Sequence, residues 1–264
     1  MPKSASLLGL CALIALGLNV LAAPSGPHSF DFGLPGKPVW DISGTYTLAP
    51  VVGGDISVVF PITIVQDSKG TLTGSGTTDV SIAGGAASSG NYTVKGKVTN
   101  SGGVARVTAT VKVSGSGSVQ GLQTTYSLSA KYTLEIDSLS KTVFGSATGS
   151  AKASGIGSGP VTDDVSAALP LNMRGDWKLQ MNLLPTGTKL GGTSSVVLGN
   201  GRTLDLGVKG SYSSKTGNST ISLSGLGTAK GTTLKAVGTG DALTPMTVTG
   251  KILGQVLQLP TTGY

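Results

Sequence analysis

Three observations predict an all-β fold, antiparallel and divided into two barrel-like or sandwich-like lobes. First, long stretches alternate apolar and polar residues with a period of two, most cleanly across residues 91–136. Second, glycine is abundant at 42 residues, whereas only 12% of residues are charged and 5% aromatic, a balance that suits pleats and tight turns rather than helices. Third, one landmark recurs. Gly175, Asp176, Trp177, Lys178 and Leu179 match Gly44, Thr45, Tyr46, Thr47 and Leu48, and the same offset carries the turn Ser68, Lys69, Gly70 onto Gly199, Asn200, Gly201. The chain therefore reads as an internal repeat of two β units, each opening on a glycine with an aromatic two positions on. At 264 residues, two lobes of ordinary size fit.

Residues 1–22 read as a signal peptide: Lys3 gives a positive start, residues 7–18 are largely apolar, and Ala22 and Ala23 supply a small-residue cleavage site. The apolar run is shorter than the roughly 20 residues a membrane-spanning helix needs, so no transmembrane helix is expected once the leader is removed. The implied location is secreted, periplasmic or elsewhere in the cell envelope. Cys11, the only cysteine, leaves with the leader, so no disulfide contributes to the mature fold. Loss of Lys3 lowers the formal charge of +7 by one and leaves a basic protein, which favours anionic partners or surfaces.

Residues 23–39 contain Pro24, Pro27, Pro35 and Pro38 and read as a flexible arm. The first lobe spans 40–159, with strands expected at 40–49, 56–66, 71–82, 91–99, 105–113, 125–136 and 142–153, and a turn at 100–103. Pro61 marks a bulge or edge position, because proline cannot donate to the ladder. Residues 83–90 read as a flexible loop, and a Gly/Ser loop is expected before residue 125. Tyr92, Val94, Val98, Val107, Val111, Val113, Leu128, Tyr132 and Ile136 share the inward faces, where each fully buried large side chain contributes roughly 1.5–3 kcal/mol. The face Val143, Gly145, Ala147, Gly149, Ala151, Ala153 is almost all small, which predicts close approach of another backbone. Residues 160–171 read as a linker with one helical turn. The second lobe spans 172–264, with strands expected at 173–183, 193–198, 202–213, 219–226, 232–238 and 246–257.

The residue inventory argues against most chemistries. His28 is the only histidine and lies on the arm, so no Ser/His/Asp triad or histidine metal site can be assembled around a second one. Glu135 is the only glutamate and shares a polar face with Lys131, which suggests a surface ion pair. Asp163 and Asp164 fall in the linker and read as helix entry or solvated charge. Gly53, Gly54, Asp55 and the run Gly238–Asp241 lack the strand-loop-helix context of a phosphate loop. No enzyme activity, cofactor or metal is expected, since no set of residues fills the roles a reaction needs. Lys95, Lys97, Arg106, Lys112 and Lys131 form a basic band on the polar faces, but Tyr92, Tyr126 and Tyr132 point to the opposite side, so nucleic-acid binding is not expected. The band reads as a solvated exterior, with loose attraction to an anionic envelope or polysaccharide surface as the alternative. Asn91-Tyr92-Thr93 and Asn218-Ser219-Thr220 are glycosylation sequons, relevant only to a eukaryotic source.

Gly175, Asp176, Trp177 and, with tyrosine in place of tryptophan, Gly44, Thr45, Tyr46 resemble the Gly-x-Trp opening strand of lipocalin (calycin) barrels. The resemblance covers one strand in each lobe. It implies an antiparallel up-and-down barrel whose aromatic plugs one end and whose other end admits an apolar ligand. Two function classes follow: an exported, non-enzymatic binding protein for a small apolar or amphipathic ligand, or a structural or adhesive envelope protein without a pocket. Two closed units suit the first. An outer-membrane barrel is disfavoured by the scarcity of aromatics for interfacial girdles.

Overall fold

The computed structural model describes residues 21–33, 38–83, 87–101, 104–119 and 122–258. The expected leader, with Lys3 and Cys11, lies outside them apart from Leu21 and Ala22, and so do Pro35 of the arm and part of the 83–90 loop. In chain order, β1 is Gly26–Phe32, β2 Gly44–Leu48, β3 Val51–Val52, β4 Ile56–Gln66 and β5 Thr71–Ile82. They are followed by β6 Ser88–Ser101, β7 Val104–Val119, β8 Leu122–Asp137, β9 Thr142–Ala153 and β10 Gly157–Ala168. After one 3-10 turn at Leu171–Met173 come β11 Trp177–Thr186, β12 Lys189–Leu198, β13 Thr203–Tyr212 and β14 Asn218–Gly225. A second 3-10 turn at Gly227–Ala229 precedes β15 Thr233–Thr239, β16 Thr247–Ile252 and β17 Gln255–Gln258. The fold is all-β and antiparallel, in two lobes, and no helix among the described residues is long and apolar enough to cross a membrane.

The first sheet closes on itself. Pairings run in a ring from β4 through β5, β6, β7, β8, β9 and β10 to β3, which returns to β4. β2 and β3 pair in one continuous register with β4, as two halves of a bent strand. Only the β3 half, through Val51 and Val52, also pairs with β10. Along β2 the wall parts. The ring is also loosened between β4 and β5, where pairing is interrupted between Val59 and Val65 and the register shifts, around Pro61. Side chains bridge that gap: Thr78 Oγ1 donates to Pro61 O at 2.5 Å, and Thr63 N–H donates to Tyr92 Oη at 3.0 Å.

The second sheet is open, in the order β1-β11-β12-β13-β14-β15-β16-β17. Residues 23–39, expected as an arm, thus contribute a strand to it: Gly26–Phe32 pairs along its whole length with β11. The cause is apolar alternation, because His28, Phe30 and Phe32 face one way and Phe32 stacks on Trp177 with centroids 4.1 Å apart. The first lobe is therefore inserted between the first and second strands of the second. Three further expectations change. Residues 160–168 are not linker but part of β10, paired throughout with the small-residue strand β9. Residues 246–257 are a hairpin, turned at Leu253 and Gly254 with φ of 50° and 76°. The Gly/Ser stretch before residue 125 continues the β7–β8 ladder out to Val119 and Leu122.

The repeated turn has a structural counterpart in each lobe. In the first turn Asp67 N–H donates to Thr71 O and Gly70 N–H to Asp67 O; in the second Leu198 N–H donates to Arg202 O and Gly201 N–H to Leu198 O. Gly70 and Gly201 both take the left-handed conformation, with φ of 80° and 89°. Each turn follows the strand that pairs with the Gly-x-aromatic strand, but the registers differ: Trp177 lies opposite Leu198, the first residue of its turn, whereas Tyr46 lies opposite Ile62, well before Asp67, so the two aromatics do not hold corresponding positions.

Two cores result. The first-lobe core gathers Trp40, Phe60, Leu72, Val98, Tyr132 and Ile136; the second gathers Phe32, Trp177, Leu183, Leu204, Leu206 and Ile221. The chain crosses between them at adjacent residues, Val39 lying in the second core and Trp40 in the first, and Val39 N–H donates to Gly175 O of the returning segment at 2.6 Å.

Candidate functional site

The parted wall along β2 gives onto a cavity of about 420 Å³ inside the first lobe. Its position follows from the register. β10 runs on to Ala168, but among the described residues β2 has no ladder partner on that side, so Tyr46, Thr47 and Leu48 face Asp163, Val165 and Ala167 across an opening. Ile62, Ile64, Val107, Val111, Leu134 and Val143 line the space behind it, and Pro170 and Met173, in the segment returning to the second lobe, complete the lining. These side chains come from the alternating faces of β4, β7, β8 and β9.

One polar pair interrupts this apolar lining. Tyr132 Oη donates to Asp163 Oδ2 at 2.9 Å. The two residues stand in one cross-strand row, Tyr132 opposite Ala147 and Ala147 opposite Asp163, so tyrosine reaches over a residue too small to block it. Burial holds the Asp163 carboxyl above the usual aspartate range; the neighbouring charge of Asp164 adds to this, while the Tyr132 hydrogen bond opposes it. Burial, then the Asp163 carboxylate, pushes the Tyr132 hydroxyl far up, so it is a hydrogen-bond donor throughout the ordinary pH range. Tyr46, beside the opening, is raised in the same way by burial and then by Asp41, and its hydroxyl donates to Ile42 O at 2.8 Å.

The small residues of β9 have a structural cause. A Cβ on Gly149 would stand 1.9 Å from Ser129 O, and one on Gly145 2.2 Å from Thr133 O, so the backbone of β8 occupies that space. A second apolar cavity, about 270 Å³, lies toward the opposite end of the ring between Val58, Ile82 and Leu128, with Ile56 and Ile156 exposed beside it.

The residues singled out in the sequence are scattered. His28 lies on β1 opposite Met181, at a groove with Gln180, Asn182, Ser195 and Asp205, and its buried Nε2 has no hydrogen-bond partner among the described residues. Glu135 pairs with Arg106 at 2.8 Å, not with Lys131, because Arg106 is its direct cross-strand neighbour whereas Lys131 is two pleats along the same strand. Asp163 and Asp164 are in β10, one turned inward and the other outward, instead of in a linker. Gly53, Gly54 and Asp55 form the turn between β3 and β4, and Gly238–Asp241 spans the end of β15 and the turn after it. Asn91 and Asn218 are exposed on β6 and β14. The band does assemble: Lys95, Lys97, Arg106, Lys112 and Lys131 are all exposed on the outer faces of β6, β7 and β8, with Lys152 on β9 beside them.

Sequence reasoning placed Tyr132 inward but missed Asp163 as its partner. The signal was present in the alternation Val161, Asp163, Val165, Ala167, obscured by Pro160 and by two consecutive aspartates. No protein-family model, curated protein or solved structure matches the chain.

Proposed function

We propose that this is an exported, non-enzymatic protein that holds a small apolar or amphipathic molecule in its first lobe. The observation that carries the reading is the cavity of about 420 Å³ behind the parted wall between β2 and β10, apolar over most of its lining. That volume falls in the roughly 300–1,000 Å³ typical of small-molecule sites, which are mostly apolar with a few placed polar groups. The Gly-x-aromatic openings at Gly44 and Gly175 support the same reading through their resemblance to ligand-carrying barrels. The test is saturable uptake of a neutral apolar dye, Nile red, by the purified protein. One site per chain is expected, weakened about tenfold by Ala167→Trp at the rim. Uptake that does not saturate, or that ignores Ala167→Trp, overturns the reading, and regular self-assembly without uptake favours the structural or adhesive alternative.

The outer face of β6–β9 supports a second, compatible role in attraction to an anionic envelope polysaccharide. Lys95, Lys97, Lys112, Lys131 and Lys152 stand among serines and threonines, and none makes an ion pair among the described residues. Retention on a sulfated-dextran resin should weaken in Lys95→Glu/Lys97→Glu; unchanged retention removes this role.

A further inference from the structure

We infer that the molecule held in the first lobe carries a cationic head group, an ammonium or similar centre, seated against Asp163. The inference rests on the cavity reading above and narrows it to one ligand chemistry. The chain is basic, with a formal net charge of +7, yet among the described residues both charged residues lining this space, Asp163 and Asp164, are carboxylates. No lysine, arginine or histidine pairs with Asp163 among the described residues. Tyr132 occupies Oδ2, leaving Oδ1 to accept from a ligand.

The surroundings favour the same sign of charge. Asp164 follows at the rim, exposed and without an ion pair among the described residues, so the opening presents two carboxyl groups to whatever enters. Contrast Asp41, which is fully buried and pairs with Arg202 at 3.1 Å, so there the fold supplies the cation itself. A fatty carboxylate or alkyl sulfate would place like charge against Asp163 in an apolar setting, an arrangement that is costly. An alkylammonium would place its chain against Ile62, Val107 and Leu134 while its head completes the carboxylate's hydrogen bonding.

Calorimetric titration of the full chain at neutral pH with decylammonium, decanol and decanoate, all below micelle formation, tests this. Decylammonium is expected to bind at least about tenfold more tightly than decanol, or about 1.4 kcal/mol, with decanoate weakest. Asp163→Asn should bring decylammonium to within about twofold of decanol. Added salt should weaken decylammonium binding to the unmodified protein and not that of decanol, a readout that needs no variant. Decanol or decanoate binding as tightly as decylammonium, or an ammonium preference that survives Asp163→Asn or added salt, overturns the head-group inference and leaves the cavity reading standing. Failure of all three to bind, together with failure of Nile red, overturns both.

Discussion

The side-chain amide of Gln255 clasps the backbone of Trp40 across the two lobes: Trp40 N–H donates to Gln255 Oε1 at 2.9 Å, and Gln255 Nε2 donates to Trp40 O at 2.6 Å. Gln66 adds the first lobe's share, donating from Nε2 to Trp40 O at 3.0 Å and accepting from Ile42 N–H at 2.9 Å. Both glutamines are fully buried, so water cannot replace either set of bonds. The crossing between lobes is held by side chains acting as surrogate strands.

Gln255→Ala leaves Trp40 N–H buried without an acceptor, and Gln255→Leu does the same at similar volume. Each should lower stability by about 2–4 kcal/mol, combining an orphaned donor with the lost bond to Trp40 O. Urea unfolding followed by tryptophan fluorescence measures it. A loss well under 1 kcal/mol would mean that the crossing relaxes and water reaches Trp40.

Asp41 and Arg202 form the other tie. Asp41 is fully buried and Arg202 Nη1 donates both to Asp41 Oδ2 at 3.1 Å and to Gln66 O at 2.8 Å. Arg202→Met removes the cation and leaves the carboxylate inside, with Ser43 and Asn200 as its remaining donors. The expected loss is about 3–5 kcal/mol, because an uncompensated buried charge costs more than the pair contributes. Adding Asp41→Asn to Arg202→Met should recover part of it, and a double-mutant cycle reads the coupling. Strict additivity would place the pair outside any shared network.

How far the fold was legible depended on where its pairings lie. β4, β5 and β9 follow their alternation to the residue, and the repeated turn was visible because Gly70 and Gly201 meet the same backbone need. β1 was hidden because its partner, β11, lies beyond the whole first lobe, and a Pro-flanked GPHSFDF carries little local strand signal. β10 was hidden by Pro160 and the aspartates, although Val161 and Val165 kept the inward register. The parted wall was not legible at all. It depends on β2 lacking a second partner, which is a property of the assembled ring and not of any segment.

Gly149 tests the close approach of β8 and β9. Gly149→Ala would drive its Cβ to 1.9 Å from Ser129 O, so β9 must shift or the ladder must open. A loss of about 1–3 kcal/mol is expected, typical of overpacking. Gly33→Ala, where nothing among the described residues stands within 4 Å, is the comparison and should stay within about 0.5 kcal/mol of the unmodified protein. Thermal melts of both suffice; equal melting would mean the sheet accommodates a methyl freely at Gly149.

Asp163 makes stability depend on pH with a sign opposite to that of most aspartates. Its carboxyl is held above the usual range in the folded protein, first by burial and then by the charge of Asp164, with Tyr132 opposing. Between the unfolded chain's ordinary aspartate value and the raised folded one, the folded state binds more protons. Stability from this group therefore falls as pH rises through that window, is fully reduced above it, and is restored below it. Asp163→Asn keeps an acceptor for Tyr132 Oη and removes the charge, so the variant should be more stable than the parent at neutral pH. The gap should close as pH falls into the ordinary carboxylate range. Comparing the two chains at each pH cancels the groups they share, including Asp67 and Asp137, whose carboxyls are lowered and whose contributions fade on acidification. Urea titrations across a pH series give the difference directly, and a variant less stable than the parent at neutral pH, or a gap that widens in acid, would contradict the assignment of Asp163 as a charge held at the cavity against the preference of its surroundings.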